Sequence, residues 1–266
     1  MILDVVNPAK APVSVLVLTR DEAANIGECL ESLRWADEVF VVDSLSTDRT
    51  AEIARAHGVS FFERSFTNHA DQKNYAAWCA SNDWIFLLDA DEEMSTELRN
   101  SLREWKQSEP EFAVYQMARL TWYLGAWIHH SRWYPDFQRR LYRRDQASFS
   151  GMIHSALRFE GKAGSLNGNL LHYTIRTFAE HQAKVEGYTT VMAQELFSQG
   201  RRKWRAAMWL AAPWSWFQNY VLHLGFLDGH RGWLISRMAA RGTWLKFKKL
   251  GRLVETERRA SGARTP

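Results

Sequence analysis

WIFLLDADEE, residues 84–93, decides the reading of this chain. Five apolar residues run straight into Asp89, Ala90, Asp91, Glu92 and Glu93. An uninterrupted apolar run of this length reads as a strand covered on both faces, as in a parallel sheet. Ligands of such sheets bind beyond the carboxyl ends of the strands, where Asp89 and Asp91 fall. Side chains two apart on a strand point the same way, so the two carboxylates are expected to meet one partner. Like charges so placed repel unless a proton or a cation joins them. A hard divalent ion, held by one or two carboxylates plus substrate phosphates, answers that need. Such an ion would neutralise charge on a departing diphosphate. The plainer alternative is a solvated acidic turn that caps the next helix.

Outward from this stretch, strands and helices alternate. Strands are expected over 13–19, 38–44, 59–63, 84–90 and 112–118. Helices are expected over 26–35 with Asn25 as N-cap, 50–57, 70–80, and 95–106 with Ser95 capping. That order argues for an α/β fold with a mostly parallel central sheet flanked by helices. Asp43 closes the second strand and Asp48 lies in the turn after it, so each is a candidate for a ribose or base, or simply for a helix cap. Residues 121–173 read as loops and short strands, 178–199 as a helix, and 204–250 as mostly helical. Domain boundaries are expected at 1–175 for the α/β part, 176–256 for a helical extension, and 257–266 for a disordered tail.

The net charge of +4 hides an asymmetry: from Arg201 onward there are 14 Lys and Arg against 3 Asp and Glu, with six of the 13 tryptophans. Basic, Trp-rich sequence suits a partner with negative charge and an apolar boundary. An anionic membrane surface fits better than nucleic acid, because Trp and Leu interleave the basic residues. Residues 206–227 approach spanning length but carry Pro213, Ser215, Gln218, Asn219 and His223, which are costly in hydrocarbon. A helix lying in the headgroup plane is expected. The start has no basic n-region or small-residue cleavage site, so Val13–Thr19 reads as a strand and not as part of a signal peptide. Cys29 and Cys79 lack metal or disulfide spacing, which suits a reducing compartment.

VSVLVLTRDEAANI (13–26), VVDSLSTDRTAEIA (41–54), DQKNYA (71–76) and WIFLLDADE (84–92) together resemble the nucleotide-binding half of family 2 glycosyltransferases. WYPDFQRRLYRR (133–144), GMIH (151–154) and FLDG (226–229) resemble the branch that contains lipopolysaccharide-core β-1,4-glucosyltransferases. The resemblance implies a GT-A fold, a nucleotide-sugar donor such as UDP-glucose, Mg²⁺ or Mn²⁺, and inversion at the anomeric carbon. It implies that Thr19, Arg20 and Glu22 line the nucleobase pocket and that Asp43 binds uracil or ribose. It places Lys73 near the donor, Asp89 on the ribose and Asp91 on the metal. The implied acceptor is a lipopolysaccharide core or other lipid-linked oligosaccharide, at the cytoplasmic face of the inner membrane, with the protein peripheral to it.

An inverting transferase needs a base on the acceptor hydroxyl. Asp136, after a proline in an aromatic loop, is the first candidate. His154 is the second, or a further metal ligand; the branch often shows His-Glu here, and this chain has His154-Ser155. Of the arginines that follow Asp136, Arg140 is the candidate for the diphosphate or for a phosphorylated acceptor, since a guanidinium fork matches phosphate oxygens. Other readings are a polyprenyl-phosphate glycosyltransferase and a non-enzymatic membrane or nucleic-acid binder. A sugar nucleotidyltransferase would want a Gly-rich loop after the first strand, where this chain has TRDEAAN.

Overall fold

The computed structural model describes residues 10–151, 155–260 and 262. The chain forms two compact units, Met1–Arg119 with Asp136–His172, and Leu120–Pro135 with Tyr173–Pro266.

In the first unit, β1 (Val13–Thr19), β2 (Glu38–Asp43), β3 (Ser60–Glu63) and β4 (Trp84–Asp89) pair in parallel in the order β3-β2-β1-β4. Between them run α1 (Ile26–Glu31), α2 (Thr50–Ala56) and α3 (His69–Cys79). The helix expected to reach residue 35 ends at Glu31, where the Ser32 hydroxyl donates to the Cys29 carbonyl at 2.7 Å. Asn25 does not cap it; its amide donates to Glu22 at 2.6 Å. Alternate residues of the strands enter two cores. Val13, Val15 and Val17 pack with Phe86 and Leu88, whereas Leu16 packs with Ile85, Leu87 and the Ala70 and Ala76 face of α3. Burial on both faces is why the strands read as unbroken apolar runs.

After β4 the chain forms β5 (Glu92–Met94) and α4 (Thr96–Gln107). Ser95 caps α4 by accepting from the Leu98 amide at 3.2 Å, and Leu98, Leu102 and Trp105 bury one face. The strand expected over 112–118 is β6 (Val114–Tyr123), which leaves the parallel set: it pairs antiparallel with β8 (Asp136–Arg143), itself antiparallel to β4. The strand β11 (Gly164–Ile175) pairs antiparallel with β5, and β9 (Ala147–Ser150) with β10 (Ala156–Phe159) forms a separate hairpin.

In the second unit β7 (Ala126–Ile128) pairs the end of β6. It is followed by α5 (Phe178–Ser198), α6 (Arg205–Phe217) and α7 (Gly229–Ala260). Thr177 and Glu180 form a reciprocal cap at the start of α5. Tyr123, Ile128, Ile175 and Ile235 make one small core, and Ala193, Leu250 and Val254 another. At Gly251 a Cβ would lie 2.7 Å from the Trp204 ring, so glycine is what lets the indole seat on α7. The segment 206–227 is not one helix. After α6 come a π-helical turn at Gln218–Leu222 and a 3₁₀ turn at Gly225–Asp228, separated by Leu224 in a left-handed conformation (φ 53°). No helix among the described residues is long and apolar enough to cross a membrane. The helix α7 runs to Ala260, into the segment expected to be a tail.

Candidate active site

The carboxyl ends of β1 and β2 are laced together by short polar side chains. The Asp43 carboxylate, 1% exposed, accepts from the Ser46 amide at 2.7 Å and from the Ser46 hydroxyl. Asp21, at φ 54°, accepts from the Thr47 amide at 2.7 Å, and its own amide donates to the Ser46 hydroxyl. Asp48 accepts from the amides of Thr50 and Ala23 at 2.9 and 3.1 Å. Asp43 and Asp48 thus fix the shape of these two loops; Asp43 offers no exposed carboxylate to a base or ribose. Thr19 is buried with its hydroxyl unpartnered, Arg20 is exposed, and the Glu22 amide donates to Thr50 at 2.8 Å.

At the end of β4 the two acids expected to share a partner take different ones. Strand geometry stops at Asp89, Asp91 lies in the turn to β5, and alternation no longer applies. Asp89 accepts from the Arg140 guanidinium at 2.7 Å. The same nitrogen reaches both oxygens of Glu92 at 2.8 Å. The register of β8 on β4 places Leu141 opposite Phe86, which brings Arg140 to the carboxyl end of β4. Arg140 is 5% exposed and Glu92 1%, so this is a buried ion cluster. Arg140, the candidate for a diphosphate, is instead occupied by two carboxylates. Burial pushes the Asp89 carboxyl up, and the Arg140 charge more than reverses that, holding it at about 2. Burial, with Asp89 beside it, pushes Glu92 up instead.

The second acid, Asp91, meets His172 on β11, whose Nε2 lies 3.1 Å from its carboxylate. Pairing of β11 with β5 sets His172 opposite Glu92 and so fixes this contact. The chain of charges continues to Arg119, which reaches Glu92 at 3.4 Å and Asp136 at 2.6 Å. Gln138 donates to the other oxygen of Asp136 at 2.8 Å. Lys73 on α3 lies half-buried with its amine 4.7 Å over the Phe149 ring; burial pushes that amine down, while the negative charge of Asp89 favours its protonated form. Beneath the site, burial raises the Cys29 thiol and keeps it un-ionised.

Asp89, Asp91, Arg140 and Lys73 therefore fall in one neighbourhood, joined through Arg119 to Asp136, while His154 lies outside the described residues. Glu92, Arg119 and His172 join the site without being singled out by the sequence pattern. Glu92 stood in the quoted acidic run, but the other two are brought in only by strand pairing across 27 and 81 residues. Among the described residues no group of three or more His, Cys, Asp or Glu side chains converges as a metal cage. Asp91 and His172 do fit a hard cation that takes its remaining ligands from substrate phosphates, because such ions need only one or two protein ligands.

Comparison with known proteins defines the class: a glycosyltransferase. The chain belongs to glycosyl transferase family 2, whose family model matches residues 14–160, and its architecture is of the GT-A type. It is 29% identical to an uncharacterized glycosyltransferase of Rickettsia bellii over 256 residues, 91% of this chain and 86% of that protein. It is 29% identical to the lipopolysaccharide core biosynthesis glycosyltransferase LpsC of Rhizobium meliloti over 201 residues, 73% of this chain and 74% of that protein. Among solved structures, the mannosyltransferase PcManGT of Pyrobaculum calidifontis, in complex with GDP-Man and Mn²⁺, is 17% identical. That match covers 97% of this chain and 83% of the other, with a TM-score of 0.48.

Proposed function

We propose that this glycosyltransferase moves a hexose, with inversion, from a nucleotide-diphosphate sugar onto the core of a lipopolysaccharide or another lipid-linked glycan. UDP-glucose is the donor we assign. The reading of the acceptor is supported by the likeness to the Rhizobium meliloti protein, whose name gives lipopolysaccharide core biosynthesis. The observation that carries the chemistry is the Asp91–His172 pair at 3.1 Å beside an Asp89 pinned by Arg140.

In this reading Asp91 and His172 would hold Mg²⁺ or Mn²⁺, and the ion would supply positive charge to the diphosphate. Arg140 does not touch substrate: it locks Asp89 ionised and in one orientation, ready to accept from a ribose hydroxyl. Lys73 adds a second positive charge on the donor side. Asp136 is the base. Arg119 fixes Oδ2 and Gln138 donates to Oδ1, which orients the carboxylate; a remaining lone pair of Oδ1 takes the proton of the acceptor hydroxyl as the glycosidic bond forms. The basic, aromatic surface of the second unit docks the protein on the cytoplasmic face of the inner membrane, where its lipid-linked acceptor would lie. Exposed Trp209, Leu210, Trp214 and Phe217 fall on one side of α6, and apolar patches of this kind mark interaction sites. Lys203 and Arg205 flank them, as in helices that lie in the headgroup plane.

The test is transfer of labelled sugar from a panel of UDP- and GDP-sugars to truncated lipopolysaccharide cores and to a polyprenyl phosphate. UDP-glucose with a core acceptor and Mn²⁺ is expected to give product, lost with chelator and on the order of 10³-fold weaker in Asp91→Ala. Full transfer by Asp91→Ala in chelator would refute the metal site. Preference for polyprenyl phosphate would refute the acceptor.

A further inference from the structure

The second unit contains a cavity of about 500 Å³ between α5, α6 and α7 that the transfer reaction leaves unused. Its size lies within the range of small-molecule pockets, roughly 300–1,000 Å³. One wall is apolar, made by Met208, Ala212 and Pro213 of α6 with Met238 of α7. Arg237 and Arg241, four residues apart and therefore on the same face of α7, also line it. No acidic side chain lines the cavity, and neither arginine forms an ion pair among the described residues. Arg237 is held with its guanidinium 5.3 Å over the Trp233 ring, which orients the group without neutralising it. Two guanidinium forks that no carboxylate bridges, with Glu186 of α5 within electrostatic reach of Arg241, stand beside an apolar wall and make a recognition surface for an anion that carries an apolar tail.

We propose that this cavity binds one anionic phospholipid, its phosphodiester on Arg237 and Arg241 and the upper part of an acyl chain against Met208, Ala212, Pro213 and Met238. The occupant follows from charge complementarity and from continuity: Trp209 lines the cavity and also belongs to the exposed apolar stripe of α6. A free phosphate would leave the apolar wall uncovered, and a neutral lipid would leave both guanidinium groups unpaired. The proposal rests on the membrane-surface reading above and adds to it a stoichiometric site. Diffuse attraction of basic residues to an anionic bilayer needs no cavity; a site for one lipid predicts a defined adduct that survives away from the bilayer.

The experiment uses the full chain in detergent with phosphatidylglycerol, read by native mass spectrometry, and in parallel its sedimentation with phosphatidylcholine vesicles containing phosphatidylglycerol. The wild type is expected to keep one phosphatidylglycerol per chain, and Arg237→Gln/Arg241→Gln to weaken that adduct about tenfold or more. Both arginines are exposed, so the fold should survive, which circular dichroism checks. Leu210→Ser/Trp214→Ser, which alters the stripe but not the cavity wall, should release the protein from vesicles and leave the adduct intact. Loss of vesicle binding without loss of the adduct separates the surface from the site. An adduct equally strong in the arginine variant, displacement of the lipid by inorganic phosphate, or no adduct in the wild type would each overturn the proposal. A wild type that forms the adduct but ignores vesicles would uphold the cavity and refute the membrane-surface reading.

Discussion

In the first unit the decisive charges turn inward: Arg140, Asp89 and Glu92 meet within 2.8 Å, and Arg140 and Glu92 are almost wholly buried. In the second unit they turn outward. Arg237 and Arg241 face solvent beside a helix whose Trp209 and Leu210 are 67% and 73% exposed. A buried ion cluster is expensive to desolvate and holds only while every partner is present. It suits a site that must keep Asp89 ionised and aimed before substrate arrives. An exposed mix of arginine and tryptophan costs little while unbound and gains by meeting an anionic, apolar boundary. On the function proposed above, the two units would divide the work as their charges do, chemistry in one and attachment in the other.

The comparison is most severely tested inside the cluster. Arg140→Leu leaves Asp89 and Glu92 without the buried cation that joins them, and is expected to cost about 3–5 kcal/mol in urea denaturation. An equal change made outside the cluster, Arg143→Leu, removes only an exposed pair with Asp145 and should cost under about 1 kcal/mol. If the two variants were equally stable, the inward charges would not be structural. In the second unit the comparable weak point is packing: Gly251→Val forces a methyl-bearing carbon onto the Trp204 ring and is expected to cost about 1–3 kcal/mol, read by thermal unfolding. Thr177→Ala removes one half of the reciprocal cap on α5 and should cost about 1 kcal/mol.

A further effect lies on the pH axis and is bounded by a single proton. Burial lowers His181 from 6.5 to about 4, and its Nδ1 pairs with the Tyr123 hydroxyl at 2.8 Å. The folded state holds this ring neutral, so the unfolded state binds its proton first as pH falls. Stability is fully present above about pH 6.5 and is lost toward about pH 4. His181→Gln is expected to flatten that decline relative to the wild type in melting curves across the window. An unchanged slope would place the loss elsewhere.

These contrasts also explain what could be read from residues alone. The parallel half of the sheet was legible because burial on both faces writes itself as unbroken apolar runs, and because Ser95 caps its helix by the local rule that names it. The acidic run at residues 89–93 announced the site, yet strand alternation gave the wrong partnership for Asp91, since the strand ends two residues earlier. Arg119 and His172 carry no local signal: each is an ordinary polar residue on a long strand until β8 and β11 pair. The charge of Arg140 alone suggests phosphate, because its burial against Asp89 and Glu92 depends on the register of β8 on β4. In the second unit the aromatic and basic composition was plain, but the break at residues 218–228 was not. A π-helical turn is sustained by specific returns such as the Asn219 amide donating to the Ser215 carbonyl at 2.7 Å, which no periodicity reveals.

The central claim is that Asp91, with His172, clamps a divalent ion against a nucleotide diphosphate. A titration of Mn²⁺ into the protein with UDP, followed by the electron paramagnetic resonance signal of the free ion, tests it most directly. The wild type should remove one ion per chain only when UDP is present, and Asp91→Ala should leave the free-ion signal unchanged. Equal uptake of Mn²⁺ by Asp91→Ala with UDP, or uptake by neither protein, would contradict the account.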